Sequence, residues 1–181
     1  MDFAAGAVVF PGGRCDAQDA VVGAGLPGPL VAEHVRRWAD LDARAADPWL
    51  LAGTRIVTGL RELAEETGLE ADPSDLYPWD NWVTPAAAPK RFDVAFFVLS
   101  VPTDAPGQPR HTTTEAVRSQ WEPAASVLAD HAQGRTRLMT PTRVIVTELA
   151  ALGEVQRVLD LRPMITGVRD DRAEVRPRHR Q

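Results

Sequence analysis

The sequence is poor in cysteine, in aromatic residues and in long apolar runs, and these shortages exclude several classes of protein. A single cysteine among 181 residues, Cys15, excludes an internal disulfide and suits a reducing cytoplasm. The longest apolar run, residues 94–99, is far too short to span a bilayer, which takes roughly 20 apolar residues. We therefore expect a cytoplasmic protein that has no membrane partner.

A surplus of basic residues is also missing. The net charge is −5, from 20 Lys and Arg against 25 Asp and Glu, which predicts no binding of nucleic acid. The hydrophobic fraction of 44% is enough for one globular domain with a core, and no internal repeat is visible. We predict a single domain at residues 1–161, followed by an Arg- and Pro-rich tail at residues 162–181.

Three carboxylates are concentrated in residues 61–69, which read R-E-L-A-E-E-T-G-L. Glu62, Glu65 and Glu66 lie at positions i, i+3 and i+4, so on a helix they share one face. Clustered acids repel each other unless a cation lies among them, and a hard divalent ion such as Mg²⁺ or Mn²⁺ prefers oxygen ligands. The alternative interpretation is a solvated acidic face of a helix.

The helix that carries these glutamates has clear start and stop signals. Asp47 suits the N-cap and Pro48 the first helical position, while Gly68 suits the C-terminal stop. Gly59 in the interior costs about 1 kcal/mol of helix propensity relative to Ala, which suggests close packing at that point. Arg61, beside the three acids, is placed to orient one of them by a charge-assisted hydrogen bond.

A glycine turn precedes the acidic helix at a distance. Residues 7–10 are strand-like and end at Pro11-Gly12-Gly13, where a glycine pair permits a turn or a close approach of the backbone. Asp19 follows Gly13 after five intervening residues. Residues 20–60 then separate Asp19 from Arg61.

These segments together resemble the Nudix box, in which a glycine pair, an acid and R-E-U-x-E-E-x-G-U follow in order, U being apolar. Asp19 stands where the box has Glu, and the stretch before the Arg is much longer than the seven residues of the family. We expect the extra residues, at about 20–46, to form a helical insertion. An amphipathic helix at residues 30–45 is predicted to fold over the site, with Trp38 in the core and His34 at the surface.

The order of further segments resembles one branch of that family, the insertion-bearing coenzyme A diphosphatases of peroxisomal type and their bacterial relatives. These segments are W-V-T-P at 82–85, R-F-D at 91–93, an acid before Trp121 and P-T at 141–142. The resemblance implies an α/β fold of the α+β type, with a mixed, curved sheet sandwiched between helices. Residues 94–99 are predicted to form a central strand of that sheet.

The start of the chain departs from this pattern. Nudix proteins normally place a strand before the P-G-G strand, whereas this chain begins almost on it, so we expect the first strand to be missing. A missing strand would leave an unpaired sheet edge. Either the start is truncated, or a second subunit covers the edge in a homodimer.

The resemblance implies a metal-dependent hydrolase that cleaves the diphosphate linkage of a small nucleoside diphosphate derivative. Coenzyme A or acyl-coenzyme A is the first candidate substrate, while ADP-ribose, nucleotide sugars and a non-catalytic nucleotide-binding regulator stay open. Either Glu62 or Glu115 would be the base, and Arg61 would assist. The implied metal ligands, for Mg²⁺ or Mn²⁺, are Glu62, Glu65, Glu66 and the Gly13 carbonyl. Lys90 and Arg91 would bind the diphosphate, unless they form only a solvated strand end.

Overall fold

The structure is a computed structural model that describes residues 7–43, 45–84, 86–101, 109–110, 118–166 and 168–169. The chain combines helices and strands in a mixed α/β architecture, as predicted. Their order is β1 (Ala7–Val8), α1 (Ala17–Gly23), α2 (Gly28–Asp42), α3 (Pro48–Thr67), β2 (Leu76–Val83), β3 (Asp93–Leu99), α4 (Ala124–Ala132), β4 (Arg137–Leu138), α5 (Thr140–Leu152), α6 (Val155–Leu161) and β5 (Val168–Arg169).

The described strands form one sheet of three strands and one of two. β2 lies between β3, which is antiparallel to it, and β5, which is parallel to it. β1 pairs in parallel with β4. In the described part of the sheet β3 pairs on one side only, with β2, so the central position of residues 94–99 stays a prediction. One side chain of β3, Phe97, packs against helix α2, where its ring contacts Trp38.

Helix α3 begins and ends where the sequence predicts. The Asp47 carboxylate accepts hydrogen bonds from the backbone N–H groups of Trp49 and Leu50 at 3.0 and 2.9 Å. Gly68 ends the helix in the left-handed conformation, at φ 70°, which glycine adopts without steric cost. The 20 residues of the helix span roughly 30 Å, so its two halves contact different parts of the molecule.

Helix α2, within the predicted insertion, packs against the first half of α3 and against β3. Trp38 is 0% exposed, as predicted for a core residue, and its ring lies 5.8 Å from that of Phe97. The Arg55 guanidinium lies over the same indole at 4.8 Å and forms an ion pair with Asp42 at 2.5 Å. These contacts place α2 against α3 near residue 55, in the first half of that helix, whereas the glutamates that it was predicted to cover lie in the second half.

The prediction that His34 lies at the surface is wrong. Its side chain is 1% exposed, and its Nε2 atom lies 3.0 Å from the Leu76 carbonyl oxygen at the start of β2. A carbonyl only accepts hydrogen bonds, so Nε2 carries the proton in the neutral ring. Burial lowers the pKa of His34 to about 4, and the bond to Leu76 offsets only part of that effect.

Helices α1 and α3 approach each other closely at a pair of glycines. A Cβ atom on Gly53 would lie 2.6 Å from the Gly23 carbonyl oxygen, and one on Gly23 would lie 2.5 Å from the Gly53 carbonyl carbon. The close packing expected at Gly59 is absent, because a Cβ there would meet its nearest neighbour, Leu76 Cδ2, at an ordinary 3.5 Å. The tight crossing therefore lies six residues earlier in α3 than predicted.

Part of the segment predicted as a tail packs onto the folded chain. Ile165 is 0% exposed, and its backbone N–H donates to the Arg37 carbonyl at 2.8 Å. The Arg37 side chain in turn donates to the Arg162 carbonyl. Val168 then pairs with Trp82 in the sheet. The helices found in the described residues include none with both the length and the apolarity to cross a membrane.

Candidate functional site

The glycine turn lies directly against the acidic half of α3. The Gly12 N–H donates to Glu66 Oε2 at 3.3 Å, and the Arg14 carbonyl accepts from Arg61 Nη2 at 2.9 Å. Between them, a side chain on Gly13 would overlap the Glu62 carboxylate. Two segments that are about 50 residues apart in sequence therefore meet here, and a side chain at position 13 would force the Glu62 carboxylate to move.

Arg61 is the centre of the hydrogen-bond network at this junction. Its Nε and Nη2 atoms donate to the two oxygens of Asp19, both at 2.9 Å. Its remaining nitrogen, Nη1, donates to Glu62 Oε1 at 2.8 Å and to Glu65 Oε2 at 3.0 Å. The hydrogen bonds to Asp19, and then those to Glu62 and Glu65, hold the pKa of Arg61 well above its ordinary value.

Asp19 is held as a buried, ionised carboxylate. It is 1% exposed, yet the hydrogen bonds from Arg61 keep its pKa well below the ordinary value, against the opposing effect of burial. Thr58 Oγ1 lies 2.8 Å from Oδ2, and the Asp16 N–H donates to the same oxygen at 3.1 Å. Asp16 in turn accepts from the Asp19 N–H at 2.9 Å, which completes a capping box at the start of α1.

The role of Thr58 and the capping role of Asp16 were not predicted from the sequence. Thr58 carries a detectable signal, because it lies three residues before Arg61 on the same helix and such residues share a face. No comparable signal connects Thr58 with Asp19, which is 39 residues away in the sequence. The position of Asp16 as an N-cap is readable from the acid at its third following residue, Asp19.

The donor atoms at this junction are of the kinds that a hard divalent cation prefers, although Glu62 and Glu65 accept hydrogen bonds from Arg61 in this structure. Three carboxylates and a backbone carbonyl next to a glycine are the oxygen ligands that Mg²⁺ and Mn²⁺ prefer. Within the described part of the chain, however, no three acidic, His or Cys side chains meet as a metal site. Glu62 and Glu65 contact the Arg61 guanidinium instead, so a cation already lies among the acids.

Two other predicted site residues, Lys90 and Arg91, lie in the connection between β2 and β3. Arg91 is exposed in the connection between β2 and β3 and donates from Nε to the Thr84 carbonyl at 3.3 Å. Lys90 is exposed in the same connection. Glu115 falls within residues 111–117, outside the described residues. Its predicted role as a base stays a prediction.

The fold resembles that of a known hydrolase. No protein-family model matches the sequence, and no curated protein matches it either. A solved structure, that of a NUDIX hydrolase from Alicyclobacillus acidocaldarius, is similar with a TM-score of 0.62 and 24% sequence identity. The match covers 91% of this chain and 85% of that chain. The predicted similarity to the Nudix fold is therefore confirmed at the level of the fold.

Proposed function

We propose that this chain is a Nudix-type hydrolase that cleaves the diphosphate linkage of a nucleoside diphosphate derivative. The observation that carries the proposal is the junction itself. Gly12, Gly13 and Arg14 lie against Glu66, Glu62 and Arg61, although an insertion separates the two segments in sequence. A fold similar to that of a NUDIX hydrolase supports the same conclusion.

In the proposed site, Glu62, Glu65, Glu66 and the Gly13 carbonyl would hold Mg²⁺ or Mn²⁺. When bound, such an ion neutralises the diphosphate and lowers the pKa of a coordinated water. Arg61 keeps Glu62 and Glu65 beside the glycine turn by its Nη1 donor, at 2.8 and 3.0 Å. The chain itself thus contributes the alignment of acidic oxygens along one helical face.

The proton of the attacking water would pass to a glutamate. Glu62 is the candidate within the described site, because its carboxylate is mostly buried and lies next to the Gly13 backbone. Glu115 is the other candidate, on the grounds of the sequence alone. A general base of this kind contributes typically 10²–10⁴-fold to a rate.

We propose coenzyme A or acyl-coenzyme A as the substrate, with ADP-ribose and nucleotide sugars as alternatives within the same reaction class. Cleavage of coenzyme A would yield adenosine 3′,5′-bisphosphate and phosphopantetheine. Lys90 and Arg91 are proposed to bind the phosphates, since both are exposed cations in the connection that leads into β3. Long exposed side chains of this kind are free to reorient toward a bound anion.

The test is hydrolysis with Mg²⁺ or Mn²⁺ present and with chelator added. Coenzyme A, acyl-coenzyme A, ADP-ribose and NADH are compared, and the products are identified by mass spectrometry. Glu65→Gln removes one proposed ligand and is expected to lower kcat by about 10²-fold or more. Glu70→Gln is the matched control, because Glu70 is exposed and lies beyond the Gly68 stop.

The outcomes separate the proposals. Cleavage of one substrate only, lost in Glu65→Gln and kept in Glu70→Gln, supports the site and names the substrate. Binding of a nucleotide without turnover supports the non-catalytic regulator. Full activity of Glu65→Gln contradicts the proposed metal site, and a folded protein inactive on every substrate contradicts the hydrolase.

A further inference from the structure

Thr58 links helix α3, which carries the proposed metal ligands, to helix α1. It is buried on α3, one turn before Arg61. Its hydroxyl lies 2.8 Å from Asp19 Oδ2 and 2.9 Å from the Thr54 carbonyl. A hydroxyl has one proton to donate, and an ionised carboxylate is the stronger acceptor, so Thr58 donates to Asp19.

With Thr58 in place, the Asp19 carboxylate receives four hydrogen bonds. Two come from Arg61, one from Thr58 and one from the Asp16 backbone, at distances of 2.8 to 3.1 Å. Thr58 reaches Asp19 from the α3 side and Asp16 reaches it from the α1 side, so the carboxylate is held from both. A carboxylate fixed in this way presents both oxygens to a planar guanidinium, which matches two parallel donors.

Fixing Asp19 also fixes the rest of the Arg61 side chain. The guanidinium is rigid and planar, so an Nε and Nη2 pair anchored on Asp19 leaves Nη1 only one direction. That direction points between Glu62 and Glu65. A change at Thr58 is therefore transmitted through Asp19 and Arg61 to two acids that it does not touch.

We infer that Thr58 is a positioning residue for the glutamates of the site, acting through Asp19 and Arg61. The inference rests on the proposed function, since it concerns the same metal ligands. The Thr58 hydroxyl holds the Asp19 side chain on Arg61. Helix α1, which carries Asp19, is thereby part of the site.

The test compares three variants of the full chain by their affinity for Mn²⁺, measured from the electron paramagnetic resonance signal of the free ion. Thr58→Val removes the hydroxyl at nearly constant shape, and Thr58→Ser restores it. Thr54→Val is the matched control, because Thr54 is buried on the same helix and, among the described residues, its hydroxyl bonds only to the Leu50 carbonyl, at 2.7 Å. Thr58→Ala replaces Thr58→Val if circular dichroism shows the latter to be unfolded.

The expected result is a Kd for Mn²⁺ about tenfold higher in Thr58→Val, the effect of losing a residue that orients ligands, with Thr58→Ser and Thr54→Val close to wild type. Unchanged affinity in Thr58→Val overturns the inference and leaves the metal site standing. An equal loss in Thr54→Val also overturns it, because any buried hydroxyl then has the same effect. A wild-type chain that binds no Mn²⁺ overturns the metal site itself, and the inference with it.

Discussion

Asp19 has one methylene fewer than the glutamate of the Nudix box, yet both of its oxygens reach Arg61 at 2.9 Å. The shorter side chain is accommodated because α1 begins next to the glycine turn, with Asp19 three residues beyond its N-cap. Glutamate, the residue of the Nudix box at this position, should therefore not fit better than Asp19 in this chain. At the scale of single residues, the surroundings decide which carboxylate fits.

We predict that Asp19→Glu destabilises the protein. The side chain is 1% exposed and is surrounded by four donors, so an added methylene has no space and costs about 1–3 kcal/mol. The free energy of unfolding in urea measures this cost, with Asp40→Glu as the control because the Asp40 side chain is exposed on α2. Greater stability of Asp19→Glu than of the wild type would contradict the fit described for aspartate.

A second residue-scale prediction concerns pH and His34. Because burial lowers the pKa of His34 to about 4, folding keeps the ring neutral where the unfolded chain, with a pKa of 6.5, is protonated. Stability is therefore full above pH 6.5 and falls as the pH drops toward 4, by about 3 kcal/mol in total. The lowered pKa of Asp19 acts only below the ordinary aspartate value of 3.8, outside this range.

His34→Gln is the matched variant, because glutamine donates a hydrogen bond to the Leu76 carbonyl but does not titrate. Unfolding by urea, followed from pH 4.5 to 7.5, should show a flatter dependence for this variant than for the wild type. Equal slopes for the two proteins would show that another group is responsible.

At the scale of elements, α3 is the helix on which the insertion and the glycine turn both depend. Its first half carries Gly53 against α1 and Arg55 against α2, and its second half carries the acids. The backbone contact at Gly53 sets how closely α1 approaches, and so where Asp19 meets Arg61. Packing at one end of the helix thus bears on the site at the other.

We predict opposite effects for alanine at the two interior glycines of α3. In Gly53→Ala the new Cβ meets the Gly23 carbonyl at 2.6 Å, and because that atom is backbone the helices must separate, at a cost of about 1–3 kcal/mol. In Gly59→Ala the Cβ meets only side-chain atoms at 3.5 Å or more, so the gain in helix propensity dominates, at up to about 1 kcal/mol. Thermal unfolding of both variants checks the signs, and stabilisation by Gly53→Ala would contradict the close crossing.

The elements also show which features are readable from sequence. Asp47 and Gly68 act on backbone groups within one turn of themselves, so both ends of α3 were predictable. His34 was misplaced because its burial depends on Leu76 and Phe97, which lie far along the chain. Local patterns indicate that a helix exists and where it stops, whereas only the assembled fold decides which of its polar residues are buried.

At the scale of the whole molecule, the site is assembled from contacts that are long in sequence. Gly12 meets Glu66 across 54 residues, and Thr58 meets Asp19 across 39. The glycines and the acids of the site were predictable from the sequence, because they have fixed positions in the Nudix-box pattern. The bidentate Arg61–Asp19 pair and its support from Thr58 depend on how α1 packs against α3, which local sequence patterns do not encode.

If the proposed metal site exists, the whole molecule should become more stable when Mn²⁺ is added. An ion that binds only the folded chain stabilises it by about 2.7 kcal/mol at 100 times its Kd. For a chain of this size the corresponding rise in Tm is about 5–10 °C. Chelator should reverse the rise, Glu65→Gln should reduce it, and Glu70→Gln should retain it.

Because Arg61 Nη1 now lies between Glu62 and Glu65, an ion must compete with it for these acids. A Tm that does not respond to Mn²⁺ would mean that the ion does not displace Arg61 from Glu62 and Glu65. The glutamates would then have a structural role and no role in metal binding.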